Sequence, residues 1–172
     1  MFKYILNIYL LFFIISCQTP HIPKTQQEKL YHMLISLDTH ISHKQAYNLS
    51  KELISVSNQL KHKYNPIIEP HFNNLLVNIG IKEHGLCYEW SDMLYLHFKP
   101  KESIYRDFEF HLLVSNQGQY WSEHNAFAIS LKHHNIYDGL VIDLWRDIDS
   151  IYINKIKNDK IYTWVYRKSR EF

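Results

Sequence analysis

Three short stretches of the 172-residue chain carry side chains that together could open an amide: Gly85-Leu86-Cys87, Glu123-His124-Asn125-Ala126 and Ile142-Asp143-Leu144-Trp145-Arg146. Cys87 follows a glycine turn and opens a stretch of helical apolar period, which puts it in the first turn of a helix. Backbone N–H groups without intrahelical acceptors, and the positive end of the helix dipole, converge there. Both favour a thiolate over a thiol, and the same N–H groups can donate to the oxyanion of a tetrahedral intermediate. His124 stands at the start of a strand, where an imidazole beside the helix can take the thiol proton and later return it to a leaving amine. Asp143 is the lone acid of an apolar strand. If buried it needs a partner, and pairing with the imidazole would fix the ring tautomer and support the imidazolium. Singly, each residue has an ordinary reading: a small buried thiol, one of 12 histidines, an acid at a strand edge. Their order and context make them a candidate nucleophile, general base and acid, and orienting residue.

The elements that must position these groups follow from hydrophobic period. Leu30, Met33, Leu34 and Leu37 predict a helix over 26–39, and Ala46, Leu49, Leu53, Val56 and Leu60 a longer one over 42–63 with Ser42 as its N-cap. The two read as an antiparallel pair with their charges on solvated faces. Asn65-Pro66 stops the second helix, Pro70 starts a short third one that ends at Gly80, and residues 81–85 turn into a fourth over 86–98. After residue 105 the period becomes two. Strands are expected at 108–114, 125–131, 140–145, 151–156 and 161–166, with turns at Asn116-Gln117-Gly118, Tyr137-Asp138-Gly139 and Asn158-Asp159. Helices first and an antiparallel sheet afterwards predict one α+β domain spanning 26–172.

Residues 1–17, MFKYILNIYLLFFIISC, have one leading cation and an apolar run shorter than the roughly 20 residues of a membrane span. Ile14-Ile15-Ser16-Cys17 resembles a bacterial lipobox. That resemblance implies a signal peptide over 1–16, lipidation of Cys17, a lipidated tether over 17–25 and a membrane partner reached through the lipid. Gln18, in place of an acid, points to the outer membrane, with the domain facing the periplasm of a bacterial cell envelope. Cys87 is then the one free thiol of the mature chain in an oxidising compartment.

Composition narrows the classes further. A net charge of +2 provides no field to attract nucleic acid, and the sequence has no phosphate-cradling glycine loop or dinucleotide fingerprint. No metal or other cofactor is expected; His40, His43, His133 and His134 fall at loops and strand ends and read as surface. Trp90, Trp121, Trp145 and Trp164 read as core and rim packing, with a cleft lining as the alternative. Arg146 can pair with Asp143, Asp147 or a substrate carboxylate, a structural salt bridge being the first reading.

The helix-start cysteine followed by histidine and aspartate on successive antiparallel strands resembles the transglutaminase-like cysteine peptidases, in particular a bacterial, often lipoprotein, branch. The resemblance covers about 70–166. It implies a papain-like α+β core with Cys87 as nucleophile, His124 as general base and acid, and Asp143 orienting the histidine. It also implies a thiol amidohydrolase or acyltransferase acting on a peptide, protein or peptidoglycan-type amide. The chain departs from the pattern in one place: no Gln lies between Pro70 and Cys87 to complete an oxyanion hole. Asn74 and Asn78 are the candidates for that role. A catalytically inert envelope lipoprotein that uses the same fold to bind a partner is the alternative.

Overall fold

The apolar stripes read above become four helices and a five-stranded sheet in the computed structural model, which describes residues 21–66 and 69–168. The expected signal peptide and lipidation site at Cys17 lie outside the described residues. Helix α1 (Lys24–Ile35) begins inside the expected tether and stops short of residue 39. Before it, Ile22 is 1% exposed and its N–H donates to Asn58 Oδ1 at 2.7 Å, so the chain is already docked there. Helix α2 (His43–Tyr64) is N-capped by Ser42, whose side chain accepts from Gln45 N–H, and it stops at Asn65 in left-handed backbone (φ 41°). Helix α3 (Pro70–Asn78) starts on proline and is capped by Glu69. Helix α4 (Cys87–Phe98) opens on the cysteine itself.

Strands β1 (Phe108–Ser115), β2 (His124–Leu131), β3 (Leu140–Asp143), β4 (Tyr152–Lys155) and β5 (Val165–Arg167) form one antiparallel sheet in the order β4-β3-β2-β1-β5. The α+β class read from the sequence is the class observed. β3 is shorter than the expected 140–145 because Asp143 Oδ1 accepts from Trp145 N–H at 2.9 Å, which turns the chain out of the strand. The last strand starts at 165, not 161. Asp159 Oδ1 accepts from the N–H groups of Ile161 and Tyr162, and its Oδ2 from Trp164 Nε1 at 2.8 Å, which holds that stretch as a turn.

The sheet has two buried faces. On one, Phe110, Phe127 and Ile129 pack with Phe98 of α4 and with the apolar sides of α1 and α2. On the other, Leu113, Ala126, Ala128 and Val141 are covered by Ile156 and Trp164. Because β4 and β5 occupy opposite edges, residues 156–164 form a strap across that second face. A buried ion pair between Asp92 of α4 and Arg167 of β5 ties the strap's far end to the cysteine helix.

One charge departs from the expected solvated face of α2. Lys61 is fully buried, and its Nζ donates to the carbonyls of Leu144 (3.2 Å), Asp147 and Ile148 (2.7 Å), 5.9 Å from the Trp90 ring centroid. Burial pulls its pKa down to about 8, against the opposing pull of Asp147, Asp149 and Asp143. The ammonium thus clamps the turn that follows Asp143. Replacing it by an apolar side chain of similar length, Lys61→Met, leaves the three carbonyls without their donor. The expected loss is about 2–4 kcal/mol of unfolding free energy, read from urea denaturation.

Candidate active site

Each of the three candidate residues is delivered by the end of an element. Cys87 is the first residue of α4, and the turn before it is over-determined. Gly85 has φ +124°, and a Cβ there would sit 2.3 Å from Asn73 Nδ2. Its carbonyl accepts from Asn73 Nδ2 and Trp90 Nε1, both at 3.1 Å. Glu89, one turn into the helix, reaches back so that its Oε2 accepts from the N–H groups of Gly85 (2.6 Å) and Leu86 (2.8 Å). His124 is the first residue of β2, paired across to Ser115 of β1. Asp143 is the last residue of β3, whose pairing with β2 ends at Phe127↔Ile142, so both side chains lie at the same end of the sheet.

The structure brings all three together. His124 Nε2 and Asp143 Oδ2 are 2.6 Å apart, with both side chains almost fully buried. That contact occupies Nε2 and leaves Nδ1 as the ring nitrogen not engaged by Asp143. Burial disfavours the charged ring, but Asp143 first and Cys87 second outweigh it and raise the His124 pKa to about 9. At neutral pH the ring is therefore an imidazolium held against the Asp143 carboxylate. Tyr162, Trp145 and Trp164 surround the ring, with centroids at 4.4, 4.8 and 5.6 Å. Trp121, by contrast, is 86% exposed.

Asp143 is held ionised by more than the histidine. Burial acts to protonate it, but His124 and then Arg146 outweigh that and lower its pKa. Arg146 Nε donates to the same Oδ2 at 2.8 Å, and its Nη atoms donate to Asp159. The guanidinium stacks 3.8 Å from the Tyr152 ring centroid and 4.6 Å from that of Tyr162. Arg146 is thus a structural partner of Asp143, and its second partner is Asp159, not Asp147. Arg146 lies three positions after Asp143, a spacing visible in the sequence. Asp159 had no signal beyond a turn.

Cys87 opens onto a cleft of about 340 Å³ lined also by Asn74, Asn78, Tyr120 and Glu123. Both oxyanion candidates therefore face the nucleophile's cleft. Asn74 Oδ1 accepts from Trp145 Nε1 at 3.0 Å, which leaves its NH₂ group to donate. Asn125, quoted in the sequence motif but given no role, places Nδ2 3.8 Å from Cys87 Sγ. The thiol itself points to the Glu123 carbonyl at 3.9 Å. Among the described residues no cluster of three His, Cys, Asp or Glu side chains is placed to hold a metal ion, and no helix is long and apolar enough to cross a membrane.

Compared with protein-family models, curated proteins and solved structures, the chain gives no significant match in any of the three. The site is therefore read from its own geometry.

Two measurements probe this arrangement. Gly85→Ala combines a strained φ with a collision at Asn73, and should cost about 2–4 kcal/mol of unfolding free energy in urea denaturation. For His124, the folded pKa of about 9 lies above the ordinary 6.5. Its contribution to stability is therefore complete below pH 6.5 and is lost as pH rises through about 9. The stability difference between the native chain and His124→Gln should hold steady near pH 6 and shrink by up to about 3 kcal/mol towards pH 10. A difference that does not vary with pH would contradict a charged His124–Asp143 pair.

Proposed function

We infer that the protein is a thiol amidohydrolase or acyltransferase of transglutaminase-like type, lipid-anchored at Cys17 in a bacterial cell envelope and acting on a peptide or peptidoglycan-type amide. The observation that carries this reading is the buried, charged His124–Asp143 pair, with Cys87 acting on its ring from the wall of an open cleft. The anchor and compartment rest on the N-terminal sequence alone.

The chemistry follows from the placement of each group. The Cys87 thiolate attacks the amide carbonyl, and the carbonyl π electrons move onto oxygen. The proposed donors to that oxyanion are the NH₂ group of Asn74, which lines the same cleft, and the first N–H groups of α4. His124, already protonated, donates its proton to the departing amine as the C–N bond breaks, leaving a thioester on Cys87. The neutral ring then takes a proton from water or from an incoming amine, and attack on the thioester releases the acid or the new amide. Asp143 keeps Nε2 engaged throughout, so Nδ1 is the nitrogen that exchanges the proton.

The first test is the rate at which Cys87 is alkylated by iodoacetamide at neutral pH. The native chain should react rapidly, and His124→Ala should slow the reaction at least about tenfold. Alkylation only after denaturation would remove the enzymatic reading and leave a binding scaffold on the same fold.

A further inference from the structure

We propose that Glu123 makes the cleft beside Cys87 selective for substrates carrying an ammonium or guanidinium group next to the scissile amide; this rests on the thiol-enzyme reading and names the substrate class of that site. Among the described residues lining the cleft, Glu123 is the one carboxylate, and no Lys, Arg or His stands with it. Its carboxylate is not occupied by a protein cation: no Lys, Arg or His among the described residues lies within ion-pair distance of it. The neighbouring acids are engaged, Asp143 by His124 and Arg146, Glu89 by its own helix start and by His84.

The Glu123 carboxylate is also fixed in place. Oε2 accepts from Gly118 N–H at 2.8 Å and Oε1 from Asn125 Nδ2 at 3.3 Å. Gly118, at φ +83°, supplies the left-handed backbone that turns the loop back onto it. Because the carbonyl of the same residue meets Cys87 Sγ, carboxylate and nucleophile share one wall of the cleft. Tyr120 lines that cleft too and is 76% exposed. A carboxylate beside an aromatic face is the combination that holds an ammonium or a guanidinium. Asn125 adds a buried Oδ1 with no partner among the described residues, an acceptor that a substrate N–H reaching the base of the cleft would satisfy. The recognised cation is not the reacting amine, since a protonated amine has no lone pair with which to attack a thioester.

The test uses the full-length chain and three alkylating probes: 2-bromoethylammonium, neutral iodoacetamide and iodoacetate, with labelling mapped to Cys87 by peptide mass. The His124 charge is present in the native chain and in Glu123→Gln alike, so comparing the two isolates the carboxylate. With each rate normalised to that of iodoacetamide in the same variant, the ratio of cationic to anionic labelling should fall about tenfold in Glu123→Gln. Tyr120→Leu, at an exposed position where folding is not at stake, should lower the cationic rate about threefold. If Glu123→Gln does not fold, this variant decides. Unchanged ratios with Cys87 still reactive would overturn the cation subsite and leave the thiol-enzyme reading standing. A native Cys87 inert to all three probes would overturn both.

Discussion

A carboxylate that is 2% exposed keeps its charge only where donors replace the water it has lost, and Asp143 has three. The His124 ring, the Arg146 guanidinium and the Trp145 N–H reach it from the start of β2 and from the turn after β3. Two of them share one oxygen, so the guanidinium draws off part of the charge that would otherwise act on the imidazole alone. Arg146 is in turn balanced by Asp159 on the strap. His124 thus heads a chain of four charges, with Asp143, Arg146 and Asp159, that runs to the strap on the far face of the sheet.

The nucleophile is positioned by a separate device. Gly85, Asn73, Trp90 and Glu89 lock the start of α4 from both sides of the backbone. Lys61, buried on α2, clamps the carbonyls of the turn that carries Trp145 and Arg146. One helix start and one sheet end thus meet at Cys87 and His124 with little freedom on either side. Such preorganisation is what a relay of this kind requires. Asn74, tied to the Trp145 indole, connects the two halves across the cleft.

Much of this was legible in the chain because period and punctuation are local properties. The stripes of α2 and α4, the Ser42 cap, the Gly85 turn and the alternation of β1 all arise from neighbours within a few residues. So does the α+β class, since helices and strands segregate along the sequence. What the sequence hid is what depends on distant partners. Lys61 sits among Lys, His and Tyr and looks like any solvated helix face; its burial follows from carbonyls more than 80 residues away. The ends of β3 and β5 were misjudged because Asp143 and Asp159 bend the backbone through their own side chains, which outweighs the β-propensity of LVIDLW and IYTWVY. Asn125 and Glu123 stood in a motif already noticed, but roles at a sulfur and in a cleft come only with the third dimension.

The strap over the second face of the sheet has a bearing on how the protein is made. Asp159, Tyr162 and Trp164, which brace Arg146 and His124, and Arg167, which pairs with the cysteine helix, all follow Cys87 by more than about 70 residues. During synthesis Cys87 leaves the ribosome before them, and the edge of β1 that β5 pairs with is still open. The growing polypeptide carries Cys87 without the surroundings that poise it. The surroundings of the sulfur are thereby complete only once residues 156–167 have closed over the sheet.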